Sequence, residues 1–125
     1  MKKYFFLTLT VLATLVFTSC SKKDDPAKSS HTIVFKAKTS SDAHVDTAIY
    51  GYDSKVTTAS SLSGATWTSP EVSVPAGATM ANVVVNGIGT GASSTLKVEI
   101  YVDGQLKAEG TSSGEALSAS ASFKF

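Results

Sequence analysis

Ala116-Leu117-Ser118-Ala119-Ser120-Ala121-Ser122-Phe123-Lys124-Phe125 places Leu117, Ala119, Ala121, Phe123 and Phe125 at one parity and Ser118, Ser120, Ser122 and Lys124 at the other. A period of two is the signature of a β-strand with one face in a core and one in water. The same alternation runs back through the sequence. Leu96, Val98, Ile100 and Val102 share one parity, and Asp103-Gly104 follows as a two-residue turn into Gln105 to Glu109. Asp-Gly suits a type I′ hairpin, in which both central residues need positive φ.

Upstream, Thr79 to Asn86 reads as a strand with Ala81, Val83 and Val85 on one side, followed by the loop Gly87-Ile88-Gly89-Thr90-Gly91. The stretch Ala65 to Val74 carries Trp67, Val72 and Val74, with Pro70 forcing a bulge or an edge position, and Pro75-Ala76-Gly77 supplies a turn. Val56 to Ser63 reads as a weak edge strand or loop. Val45, Thr47, Ile49 and Gly51 alternate with Asp46, Ala48, Tyr50 and Tyr52 until Asp53-Ser54 breaks the run, and Ile33, Phe35 and Ala37 mark the first strand. No stretch after His31 sustains a 3.6-residue apolar period. The expectation is an all-β domain over residues 31–125, a single antiparallel β-sandwich of the immunoglobulin-like kind with about seven or eight strands.

The N-terminal part of the sequence is of another kind. Lys2 and Lys3 precede an apolar run from Tyr4 to Phe17, then Thr18, Ser19 and the single cysteine, Cys20. This reads as a cleaved lipoprotein signal peptide over residues 1–19, its apolar stretch being shorter than the about 20 residues of a spanning helix. Cys20 is then the acylated residue that holds the protein to a membrane by several lipid chains. Ser21 to Ser30, SKKDDPAKSS, contains nothing apolar larger than alanine, so residues 20–30 are expected to form an acylated, disordered tether. Within it, Lys23-Asp24-Asp25 resembles the lipoprotein export signal of Bacteroidota, a lysine followed by two acidic residues. That resemblance implies display on the outer face of the outer membrane, with the periplasmic face as the alternative.

Composition narrows the partners. The 11 basic residues nearly balance the 10 acidic ones, which leaves no basic footprint for nucleic acid. Every basic residue is lysine, so the bidentate arginine fork that recognises phosphate and carboxylate is missing. With Cys20 committed to lipid, no thiol remains for a disulfide or a cysteine metal site, and the fold must hold by burial.

The runs Ala48-Ile49-Tyr50, Thr66-Trp67-Thr68-Ser69, Ala81-Asn82-Val83-Val84 and Ile100-Tyr101-Val102-Asp103-Gly104-Gln105, continuing to Ala108-Glu109, resemble the extracytoplasmic domain of the MmpS-type mycobacterial membrane proteins. The resemblance implies a short β-sandwich fixed to the envelope as an accessory to a large lipid or siderophore exporter. This sequence departs from that family in having a lipobox where those proteins keep a transmembrane helix, and in lacking their late cysteine pair.

Candidate sites are few. Asp42, His44 and Asp46 fall at alternate positions and would share one face for a divalent ion, but the plainer reading is a solvated strand edge, and no metal or cofactor is expected. His31 reads as a surface residue. No Gly-x-Ser-x-Gly elbow is present and neither histidine has a serine partner by motif, so no enzyme is expected. The glycine-rich run 87–91 is not followed by a helix and reads as a strand connection. Tyr50, Tyr52 and Tyr101 take the parity opposite to their strands' aliphatic residues, which points to exposure and a ligand-binding face, the plainer reading being that this parity faces the second sheet or a neighbouring strand, whereas Trp67 is expected in the core. The functional expectation is a non-catalytic interaction or transport-accessory module for an envelope complex. A cell-surface carbohydrate-binding or glycoconjugate-binding module is the alternative.

Overall fold

A computed structural model describes residues 29–125. The expected signal peptide at 1–19, the expected acylation site Cys20, and Lys23, Asp24 and Asp25 lie outside the described residues. The described residues are all-β: β1 His31–Thr39, β2 His44–Tyr52, β3 Lys55–Ala59, β4 Thr66–Thr68, β5 Val72–Val74, β6 Met80–Ile88, β7 Thr95–Val102, β8 Gln105–Ser113 and β9 Ala116–Lys124. They form two antiparallel sheets. The first, sheet A, runs β4-β1-β7-β8 with β5 also on β1; the second, sheet B, runs β3-β2-β6-β9.

Nine strands replace the expected seven or eight because Ser69-Pro70 divides one expected strand into β4 and β5. Proline cannot donate to a ladder, and the gap is mended locally. The Phe35 N–H donates to Ser69 Oγ at 3.0 Å, and the Ser69 N–H donates to the Phe35 carbonyl at 2.9 Å. Serine thus restores the pairing that proline interrupts.

The core lies between the sheets. Ile33, Phe35, Leu96, Val98 and Ile100 from sheet A meet Val45, Ala48, Val83, Val85, Leu117 and Ala119 from sheet B, all buried. The alternation expected for β1, β6, β7 and β9 sets these positions. All nine strands and the core they enclose fall within His31–Lys124, so this segment folds as a unit.

Strand β2 departs from the expected alternation. Its pairing with β6 shifts between Val45 and Thr47, with Asp46 as the extra residue of a bulge. A bulge inverts the parity of everything that follows it. Val45 is buried as expected, but beyond the bulge Ala48 and Tyr50 turn inward and Ile49 turns out, with 39% of its surface exposed. Tyr50 is therefore a core residue, correcting its expected exposure.

The long sides of the sandwich differ. On one, β8 and β9, the outer strands of the two sheets, lie against each other. A Cβ on Gly110 would collide with the backbone carbonyl of Ser120, so only glycine permits the approach. On the other, the β3 to β4 connection crosses between sheets, held by the Leu62 N–H on the Asp46 carbonyl, the Val45 N–H on the Gly64 carbonyl and the Thr39 N–H on the Ala65 carbonyl.

Three aspartates fix the turns. Asp103, with φ 51°, and Gly104, with φ 81°, make the expected hairpin turn. The Asp103 carboxylate accepts from His31 Nδ1 at 2.7 Å and from the Thr32 N–H at 2.9 Å, tying the β7–β8 turn to the start of β1. Asp53, φ 48°, accepts from the Thr79 hydroxyl at 2.6 Å and from the Met80 N–H at 3.0 Å. At the opposite pole Asp42 accepts from Ser40 Oγ at 2.5 Å, Ser94 Oγ at 2.6 Å and Thr90 Oγ1 at 3.0 Å.

Candidate functional site

The outward surfaces of the two sheets are chemically opposite. On sheet A, register sets Lys36 beside Glu99 and Lys38 beside Lys97, and Glu99 beside Glu109. Lys97 Nζ lies 3.1 Å from both Glu99 and Glu109, while Lys36 Nζ sits 4.6 Å from the centre of the Tyr101 ring. The Tyr101 hydroxyl donates to Glu99 at 3.0 Å. Burial pushes the Glu99 carboxyl up, but the bonds from Lys97 and Tyr101 and the nearby lysine charge outweigh it and leave its pKa lowered. The same bonds, Glu109 first, raise Lys97, and the bond to Glu99 raises Tyr101. A groove of about 380 Å³ runs along this face, lined by Lys36, Lys38, Thr66, Thr68, Lys97 and Glu99.

The outer face of sheet B carries a different set. Its central row is Thr58, Ile49, Val84 and Ser120, flanked by Gly51, Asn82 and Ser122 on one side and Thr47, Asn86 and Ser118 on the other. Met80 and Ile88 end the β6 row. Among the described residues, Ile49, Val56, Met80, Val84 and Ile88 are five of the six exposed large apolar side chains, and all belong to sheet B. Lys124 stands at one corner and Asp46, in the bulge, at the other. Hydroxyls, amides and aliphatic groups fill the space between them. A shallow depression of about 560 Å³ at the Asp46 end is lined by Asn86, Ile88, Ala116 and Ser118. The exposed apolar side chains of sheet B thus lie on a surface whose charged residues stand at its margin.

The expected site residues do not converge. Tyr50 lies inside, 5.4 Å from Phe35 and 5.1 Å from Trp67 between ring centroids. Tyr52 pairs with the buried Ala81 and faces the same way, half-buried at the margin of the core. Tyr101 is half-buried on the outer face of sheet A. The three tyrosines thus occupy both sides of the sandwich wall and form no common face. Trp67, expected in the core, is half-buried and packs against it from β4.

Asp42, His44 and Asp46 are likewise separated in role. Asp42 is taken up by the hydroxyls of Ser40, Ser94 and Thr90, in that order, which hold its carboxyl down at about 2. Among the described residues no three His, Cys, Asp or Glu side chains gather as a metal would require. His31 is bonded to Asp103 and its ring stacks on Phe125, with centroids 5.2 Å apart at 12°. No serine or threonine hydroxyl is hydrogen-bonded to it among the described residues. The run 87–91 ends β6 and turns toward β7, as a strand connection. Ser94, wholly buried, accepts from the N–H groups of Thr90 and Gly91 and anchors that connection.

The sequence hides the sheet B face, because an unbroken alternation along β2 puts Ile49 on the inner side. Val84 and Ile88 signal it faintly: both stand at the outward parity of β6 where a polar residue is the rule.

Fold and surface define a β-sandwich with one charged and one neutral, partly apolar face. No family model and no curated protein matches the sequence.

Proposed function

We propose that this protein is a lipid-anchored lipoprotein of the bacterial outer membrane that works as a non-catalytic interaction or transport-accessory module, with the outer face of sheet B as its docking surface for a protein of an envelope complex. The observation that carries this reading is the grouping of Ile49, Val56, Met80, Val84 and Ile88 on one sheet whose charges lie only at its margins. A protein partner suits such a face, because contacts without charge at their centre bury aliphatic groups while hydroxyls and amides pair across the boundary. The Lys2 to Cys20 pattern supports anchoring through Cys20, and Lys23-Asp24-Asp25 supports display at the cell surface. The resemblance to the MmpS-type domain supports a transport complex as the setting. The carbohydrate-binding alternative rested on Tyr50, Tyr52 and Tyr101 acting together, and they share no face.

The test is a photo-crosslinking side chain at position 84 in living cells, compared with one at position 38 on sheet A. A membrane complex captured from position 84 alone, and lost on Ile49→Lys, is the expected result. Capture equal from both positions, or of nothing but this protein, would overturn the docking surface. The anchor is tested separately: Cys20→Ala is expected to release the protein from membranes, and continued membrane association would overturn the lipoprotein reading. Protease digestion on intact cells of the wild type, but not of a variant with Lys23, Asp24 and Asp25 changed to Ala, is the outcome expected for surface display.

A further inference from the structure

A sandwich of two open sheets has four edges, and this one protects three of them. The β4/β5 edge consists of two strands of three residues each, interrupted by Ser69-Pro70. Short, proline-broken edges do not template a neighbour. The β8 and β9 edges face each other and are brought into contact at Gly110 and Ser120. The fourth edge, β3, has none of these devices. Lys55-Val56-Thr57-Thr58-Ala59 pairs with β2 on one side only, has no proline or bulge, and is exposed at its first four positions. Its single charge lies at its first residue, and β-branched side chains fill its middle. Such a segment presents free backbone donors and acceptors to a further strand.

We infer that β3 is a self-association edge, and that the strand it takes is β3 of a second copy, paired antiparallel about Thr57. The sequence of the strand carries the choice. In that register Thr57 faces its own symmetry mate, Val56 faces Thr58 of the other copy, and Lys55 faces Ala59. Cross-strand pairs of threonine and valine are favourable, and no like charges oppose. A parallel arrangement would set Lys55 directly beside Lys55 of the second copy. A two-fold axis through Thr57 makes the contact isologous and closed, so it gives dimers and no fibres. It also runs the two B sheets together into one eight-stranded sheet, continuing the neutral face that holds Ile49, Val84 and Val56 from one copy to the next. Five residues span about 17 Å of strand, so the contact is far smaller than the about 800 Å² per partner of a standard interface. The dimer is therefore weak in dilute solution and forms where copies are crowded, as on a membrane surface.

This inference is independent of the docking reading and is tested without a membrane. Residues 21–125 contain the complete folding unit and no cysteine. Sedimentation of this protein is expected to show a reversible rise from monomer toward dimer between the micromolar and millimolar ranges, abolished by Val56→Lys with the circular dichroism spectrum unchanged. Thr57→Cys, which sets two thiols across the axis within disulfide reach, is expected to oxidise to a dimer at least several-fold faster than Ser122→Cys on the same sheet. A monomer throughout the concentration range, a dimer indifferent to Val56→Lys, or equal oxidation at positions 57 and 122 would each overturn the proposal.

Discussion

Tyr50 and Trp67 meet with ring centroids 5.1 Å apart at 55°, the one rising from β2 in sheet B and the other from β4 in sheet A. Phe35 continues the contact inward from β1, 5.4 Å from Tyr50. These rings join the two sheets on the side that β8 and β9 do not close. Trp67→Ala is expected to cost about 2–4 kcal/mol, near the lower part of the range for large aromatics because the ring is only half-buried. Urea denaturation followed by circular dichroism measures it. In the wild type the single tryptophan reports the same transition by fluorescence.

Two of the three tyrosines that the sequence places on a shared face, Tyr50 and Tyr101, should behave oppositely. Tyr50→Ala removes a core ring and is expected to destabilise by about 3–5 kcal/mol. Tyr101→Ala breaks only the contacts with Lys36 and Glu99 on the outer face and should stay within about 1 kcal/mol of wild type. Equal losses in chemical denaturation would contradict the placement of Tyr50.

Acid should act through the turn aspartates. The carboxyls of Asp42, Asp53 and Asp103 all titrate below the ordinary value of 3.8, held down by Ser40 and its neighbours, by Thr79 and by His31 respectively. The unfolded chain therefore binds protons at higher pH than the native protein does. The stabilisation from these bonds is complete above about pH 4–5 and declines as pH falls toward 2. Urea midpoints should fall between pH 5 and pH 2.5, and Asp42→Ala should flatten that slope while lowering stability at neutral pH. A slope unchanged in Asp42→Ala would show that the Ser40, Ser94 and Thr90 bonds do not set its titration.

Gly110→Ala should separate β8 from β9, since the added methyl meets the Ser120 backbone, which has no rotamer by which to yield. A loss of about 1–3 kcal/mol is expected, typical of an overpacked site. Gly91→Ala, whose new methyl meets open space, is the control and should be close to neutral in the same thermal melts.

Four strands were legible in the sequence because their alternation is uninterrupted: β1, β6, β7 and β9 bury the residues that a period of two assigns inward. The Asp103-Gly104 hairpin was legible because its turn chemistry is local. Strand β2 was not, since the bulge at Asp46 inserts one residue without any glycine or proline to announce it, and inverts Ala48 to Tyr52. The expected hairpin partner ended at Glu109, whereas β8 continues to Ser113 through Gly-Thr-Ser-Ser, residues whose strand state comes from pairing with β7 rather than from any preference of their own. The Asp42, Ser94, Thr90 and Ser40 cluster was beyond reach for another reason. It joins residues 52 and 48 positions apart, and small hydroxyl residues are spread evenly enough here that none stands out. The neutral face depended on the parity of β2 and was lost with it.

The stacking of His31 on Phe125 sets the first strand's beginning and the last strand's end at the same pole. A segment that enters at His31 therefore does so beside Phe125, at the pole away from Asp42 and Ser94. A protein appended after Phe125 would sit beside His31, and one inserted at Gly91 would project from the far end, giving two fusion sites set apart by the height of the sandwich.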